Sequence, residues 1–357
     1  MAAIVILYNG LRAANNKRGP AMPLPRLQLF ELEDLAWFPS LIRDLATDYL
    51  HFMEAYFGLH KPVVPLLEQA IKDSSQTRIV DLCSGAGGPV VDLIEPLTAA
   101  GLSLEFTLTD RFPNVNAMGR LAALYPAHIH FRSDPVDATL VPTDLRGLRT
   151  IFNAFHHFTP AAARAVLQSA VESRQPICIF EIPERSVPML LPFFFTPVYV
   201  WIATPFIRPF RASRLLFTFL LPLVPLTCWW DGLVSAMRAY TVKEMLALTQ
   251  DLDGFNWLAG RVSIPGTYAH VTWLRGIPTT SGNSAGLADA NLLKMAVHLS
   301  DNKSATATVA NRWYEKARSL IHSCLYSKSR IGINKRASRP PGDSSSSFAP
   351  PGRVHWR

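Results

Sequence analysis

Cysteine is scarce and scattered: Cys83, Cys178, Cys228 and Cys324 form no C-x-x-C pair. That suggests neither a zinc site nor a disulfide framework, so no metal is expected, and it points to a reducing compartment, the cytoplasm. Charge is scarce as well, at 17% of residues, and the net +8 is unevenly spread. Residues 1–278 hold 23 Lys and Arg against 23 Asp and Glu, which leaves 12 and 4 for residues 279–357. The basic character belongs to the C-terminal segment. The body lacks the basic face that nucleic-acid binding requires, so no nucleic-acid partner is expected. Acids are absent from residues 1–30, which carry four bases. A transit peptide shares that composition, but the expectation is a disordered leader over 1–27. The apolar stretch 1–8 is too short for a signal-peptide core and no base precedes it. No internal repeat is visible.

What is present is organised around residues 78–89, RIVDLCSGAGGP. An apolar run carrying Asp81 opens into a glycine-rich turn, and Pro89 then starts a helical segment. Strand, glycine turn and helix in this order open a cofactor site at the carboxyl end of a first strand. Glycine suits such a turn because it lets the backbone bend sharply and approach a ligand with no Cβ in the way. Downstream the alternation is regular. Strands are predicted at 78–82, 104–109, 128–132, 150–155 and 177–182, with helices at 90–100, 114–125 and 161–172 between them. A helix at 242–252 and two strands at 255–264 and 268–274 close the pattern, which argues for a parallel, doubly wound sheet.

The flanks differ. Residues 28–77 read as a helical N-terminal extension, with Leu41, Leu45, Tyr49, Phe52, Met53 and Tyr56 at helical spacing, packed onto or lidding the next domain. Within the main domain, 78–278, residues 187–230 are an apolar insertion. It holds two uncharged runs, 187–207 and 215–230, around Arg208, Arg211 and Arg214. The first run is long enough to cross a bilayer and the second is marginal. Pro188, Pro192, Pro197, Pro205, Pro222 and Pro225 break backbone pairing that lipid cannot repair. The reading is a kinked hairpin in the membrane interface, its three arginines at the headgroups, with an apolar cap over the sheet as the alternative. Residues 279–357 read as a disordered basic tail, with an amphipathic helix over 311–326 that includes Cys324.

A glycine turn and an acid at the end of strand two suit a nucleotide-type cofactor. The dinucleotide pattern G-x-G-x-x-G fails, because the sixth position counted from Gly85 is Val90 and Pro89 removes a helix-start amide. Asp81-x-x-x-Gly85-x-Gly87 after a strand resembles motif I of the class I S-adenosylmethionine-dependent methyltransferases. The resemblance covers roughly residues 78–278. It implies S-adenosyl-L-methionine as cofactor, held by Asp81, Cys83, Ser84, Gly85 and Gly87. It places Asp110 on the ribose hydroxyls, with a turn-capping acid as the alternative, and Asp137-Ala138 on the adenine, with Asp134 the alternative to Asp137. The loop from Asn153 to Phe158 then faces donor and acceptor. His156 and His157 are the candidate catalytic pair, one packing and the other taking or orienting a proton. Glu181, Asp231, Arg238 and Tyr240 are candidates for the acceptor side, with an Asp231–Arg238 ion pair as the alternative. Cys83 departs from the family, which has glycine there, and a different local backbone is expected. The N/D-P-P-Y signature of amino-group methylation on bases is absent at 153–156.

The expected fold is a doubly wound, mostly parallel, seven-stranded Rossmann-like α/β sheet. The expected function is methyl transfer to a hydrophobic, lipid-like small molecule at or near a membrane surface. A membrane-associated binding module of the same fold without catalysis is the second reading, and a nucleotide-dependent oxidoreductase the third.

Overall fold

A computed structural model describes residues 24–279 apart from Gly266 and Tyr268. The leader up to residue 23, the tail from residue 280 and the helix expected over 311–326 lie outside the described residues. The seven strands are β1 (Arg78–Leu82), β2 (Glu105–Leu108), β3 (Ile129–Phe131), β4 (Leu148–Phe152), β5 (Ile177–Glu181), β6 (Phe255–Ser263) and β7 (His270–Pro278). Their order across the sheet is β3-β2-β1-β4-β5-β7-β6. The pairs β1–β2, β1–β4, β2–β3 and β4–β5 are parallel, while β5–β7 and β6–β7 are antiparallel. The sheet is therefore mixed rather than mostly parallel as expected. The physical cause is the short connection between two nine-residue strands, β6 and β7. It admits only a hairpin, whose second strand then lies beside β5.

The inner strands read as continuous apolar runs because both their faces are covered. In β4 and β5 every residue is buried. β4 begins two residues earlier than its pattern suggests, since Leu148 and Arg149 belong to it, paired beside Ile79 and Val80. Arg149 is 1% exposed, and burial pushes its guanidinium down to about 10. β4 also stops at Phe152, three residues before the expected end, because Asn153 takes a left-handed backbone with φ +49. Asparagine is among the few side chains that tolerate this conformation.

Helices α1 (Ser40–Phe57), α2 (Val63–Ser74), α3 (Val90–Ala99), α4 (Val115–Leu124) and α5 (Pro160–Glu172) precede the insertion. Residues of α2, α3 and α4 pack with Ile79, Phe106 and Leu148 on one face of the sheet. On the other face α5 packs with Val80, Ile151 and Ile179, together with Met245 of a later helix, α10 (Val242–Leu248).

The insertion folds into short helices, α6 (Val187–Phe194), α7 (Thr196–Ala203) and α8 (Ala212–Leu215), followed by the longer α9 (Leu223–Arg238). It makes a third core with α1, in which Ile42, Leu45 and Tyr49 meet Val200, Ala203, Ile207, Val224 and Cys228. Arg214 is buried and donates to Asp48 of α1 and to the carbonyls of Ile207 and Pro209. Arg211 lies 3.6 Å from the same Asp48. At least one of the three arginines read as headgroup contacts is thus an internal strut. No single helix among the described residues is long and apolar enough to cross a membrane. Residues 212–220 and α9 reach that apolarity only together, bent by 74°.

Candidate functional site

In this strand order the chain runs outward to β2 and β3 on one side of β1, and to β5 on the other side of β4. The carboxyl ends of β1 and β4 flank the switch point, where open α/β sheets bind ligands. The turn after β1 and the loop after β4 meet there.

The turn is tied down by Ser84. Its amide donates to the Thr109 carbonyl at 2.9 Å and its hydroxyl to the Asp81 carbonyl at 2.8 Å. The Thr109 amide in turn donates to the Ser84 hydroxyl at 3.1 Å. Ser84 is buried, so its side chain serves the turn itself. Asp81 is buried too, and its Oδ1 accepts from the Thr150 hydroxyl at 2.7 Å. Cys83 holds φ +58, the left-handed backbone a glycine would take. Cysteine here carries a backbone that glycine takes freely, at a cost of roughly 1 kcal/mol. Cys83→Gly is therefore expected to stabilise the fold by at most about 0.5 kcal/mol, after the added freedom of the unfolded chain is discounted. Urea denaturation reads this directly, and a lower midpoint would contradict it.

Gly85 is exposed, and a Cβ built there would point into open space. Its amide donates to Asp110 Oδ2 at 2.8 Å, while Oδ1 accepts from the Phe112 amide at 2.8 Å. A carboxylate has about four acceptor positions, so each oxygen keeps one for a ligand. The Asp110 carbonyl accepts from the Val136 amide at 2.8 Å, which brings the 136–140 loop alongside. There Asp137 Oδ1 takes both the amide and the hydroxyl of Thr139, at 2.9 and 2.7 Å, and these bonds hold its carboxyl below the usual range. Ala138 is buried against Val136 and the second face of the sheet. Asn153 is committed inside the protein. Its Nδ2 donates to Glu54 of α1 at 2.9 Å and its Oδ1 accepts from the Ile182 amide at 2.9 Å. Glu54 thereby ties α1 across the end of β4.

His156 and His157 form a short helical turn after β4, with ring centroids 4.4 Å apart. His156 is buried, with Nδ1 2.6 Å from Glu181 at the end of β5. His157 is partly exposed, with Nδ1 2.8 Å from Asp34. Both Nε2 atoms face buried Glu31, at 3.6 Å for His156 and 3.4 Å for His157. Burial pushes the Glu31 carboxyl up to about 7. Burial works the same way on Asp34, but the hydrogen bonds and charges of His157 and Arg238 hold its carboxyl well below the usual range. Arg238 donates to Asp34 at 2.7 Å and to the His157 carbonyl at 2.5 Å, and lies 3.3 Å from Glu31. Asp231 accepts instead from the amides of Leu32 and Glu33, at 2.6 and 3.2 Å. Arg238 and Asp231 thus bond to different partners. Tyr240 donates to the Phe158 carbonyl at 2.8 Å, and the Arg26 guanidinium lies 4.2 Å from the centre of its ring.

Sequence reasoning missed Glu31, Asp34 and Glu54. The acid-rich segment 31–34 was visible, but nothing in its composition says that it meets a histidine pair more than a hundred residues away.

No family model matches the sequence, and no curated protein matches it. Among solved structures it is similar to the citrinin polyketide synthase CMeT domain (10% identity, TM-score 0.36, 56% of this chain and 46% of that one). It is similar to the mitomycin 7-O-methyltransferase MmcR (16%, 0.34, 59% and 54%). It is also similar to magnesium protoporphyrin IX methyltransferase from Synechocystis PCC 6803, solved with bound SAM (12%, 0.34, 60% and 79%). The chain spans about half the length of the first two. At these scores the overlap adds no argument to the strand order and site geometry.

Proposed function

We propose that this chain is an S-adenosylmethionine-dependent methyltransferase acting on a hydrophobic small molecule. The carrying observation is the open side of Gly85 next to the half-used Asp110 carboxylate, at the switch point of the sheet. A cofactor with an amino-acid end and ribose hydroxyls fits there. A pyrophosphate does not, because Pro89 lacks an amide at the start of α3 and Val90 is fully buried. The bound cofactor supplies an electrophilic methyl group. The chain's own part is to receive ribose hydroxyls on Asp110, to hold the donor with Asp137, and to exclude water by the Glu54–Asn153 tie across the site. Alignment of donor and acceptor supplies much of the rate in such a reaction. The acceptor meets the cluster of His156, His157 and Glu31.

The test is calorimetric titration of the full chain with S-adenosylmethionine and, separately, NAD. Binding is expected for the first, weakened by about 1.5–3 kcal/mol in Asp110→Ala, the worth of hydrogen bonds to a charged group. Tight NAD binding with none for S-adenosylmethionine sinks the reading.

The apolar character of the acceptor rests on the insertion. Fifteen of the twenty-seven exposed large apolar side chains among the described residues lie within 187–226, including Trp201, Phe219, Leu220 and Leu221. A soluble monomer rarely leaves so large a patch uncovered. We read it as an interfacial surface that passes an apolar acceptor from lipid. Deleting the insertion would strip the core it shares with α1, so the variant of choice changes exposed Phe219, Leu220 and Leu221 to Ser. That variant is expected to lose flotation with anionic liposomes while keeping its melting profile. Unchanged flotation would assign any lipid contact to another segment.

A further inference from the structure

We infer that Glu31, His156 and His157 form a binding site for a zinc-class divalent cation. One ligand atom from each of the three lies within 4.8 Å of the others. The gaps are informative. Glu31 Oε1 is 3.6 Å from His156 Nε2 and Glu31 Oε2 is 3.4 Å from His157 Nε2, while bonds of ~2.0–2.1 Å to a tetrahedral ion place neighbouring ligand atoms ~3.3 Å apart. Each histidine stands close to that spacing from one carboxylate oxygen. His156 Nε2 is buried and makes no hydrogen bond, and buried Glu31 Oε1 has only its ion-pair contact with Arg238 at 3.3 Å. Native interiors rarely leave a nitrogen such as His156 Nε2 without a hydrogen bond.

The outer contacts are also those of a metal site. Each histidine meets a carboxylate through Nδ1, Glu181 at 2.6 Å and Asp34 at 2.8 Å. That contact fixes the tautomer in which Nδ1 carries the proton and the Nε2 lone pair points inward, as ligating histidines require. Two imidazole nitrogens and one carboxylate favour zinc over magnesium or calcium. Three protein ligands leave a position open, and His157, whose side chain is 30% exposed, opens that position to solvent.

The catalytic consequence rests on the methyltransferase reading, although the site itself does not. A cation here favours a hydroxylated acceptor, because it lowers the pKa of a coordinated oxygen. The proton leaves to solvent on the His157 side, and the oxygen lone pair forms the bond to the methyl carbon. The carbon–sulfur bond breaks with its electron pair on sulfur.

The experiment titrates the chelator-treated full chain with Zn2+ by calorimetry and with Co2+ by visible absorption. One cation per chain and the absorption of a low-symmetry N/O cobalt site are expected. Glu31→Gln and His157→Ala should abolish both signals. Asp34→Asn, which leaves the three ligands in place at an exposed position, should weaken Zn2+ affinity by about 10–100-fold. The inference is overturned if the wild-type chain takes up neither ion at concentrations far above its own. It is equally overturned if the ligand variants bind as the wild type does. S-adenosylmethionine is titrated separately. Its binding without cation uptake overturns the site and keeps the methyltransferase reading, and cation uptake without its binding does the reverse.

Discussion

Gly87→Val is expected to cost the fold, not only the cofactor. A Cβ at residue 87 would lie 2.2 Å from Leu121 Cδ1 and 3.4 Å from Leu108 Cδ1. The backbone there has φ +103, which a β-branched residue adopts only under strain. The Leu121 methyl is the end of a half-buried side chain that can turn aside, so the clash costs little and the backbone strain carries a loss of about 1–3 kcal/mol. That is a sizeable part of the 5–15 kcal/mol that holds a typical domain together. Gly87 is thus glycine because of its backbone conformation. Gly85 differs: its Cβ direction is open and its φ is +55. Gly85→Ala should cost only about 1 kcal/mol of stability and remove most S-adenosylmethionine affinity, since the methyl group fills the open side of the turn. Urea midpoints and calorimetry on both variants separate strain from binding. A Gly87→Val protein as stable as wild type would refute the strain account, and a Gly85→Ala protein with wild-type affinity would show that the cofactor does not touch the turn.

The legible part of the sequence was the part with local signals. Residues 78–82 alternate into a glycine turn and a proline-started helix, and β1 and α3 stand where that pattern puts them. β5 ends at Glu181, one residue from its expected limit. Long-range partners were not legible. Arg149 reads as polar, yet it lies wholly inside β4, so the strand start was misplaced. The proline-rich insertion read as a kinked hairpin, but its prolines mostly start helices. Pro197 and Pro205 sit at the first turns of their helical segments, where a missing amide costs nothing. Arg214 has the same local setting as Arg208, and only the position of Asp48 on α1 decides that it turns inward. The histidine pair was visible in the sequence, but the three carboxylates that define its chemistry come from distant segments.

Asp81→Asn should stabilise the protein at pH 8 by up to about 4 kcal/mol and leave it unchanged near pH 3. Asp81 is 2% exposed, and burial pushes its carboxyl up to about 7, with Ser84 and Thr150 opposing the rise and Asp110 adding to it. In the unfolded chain the same group titrates at 3.8. Between those values the folded state keeps a proton that the unfolded state has lost. Stability therefore falls as pH rises through this window, by about 1.4 kcal/mol per unit, and flattens above about 7. Asparagine removes the titration while its carbonyl oxygen keeps the bond from the Thr150 hydroxyl. Other groups titrate over the same range, so the informative quantity is the difference between wild type and Asp81→Asn, which isolates this carboxyl. Urea denaturation at each pH from 3 to 8 should give a difference that grows from zero to its plateau near pH 7. A difference independent of pH would mean that Asp81 stays ionised in the folded turn, held by a cation or a ligand at the end of β1.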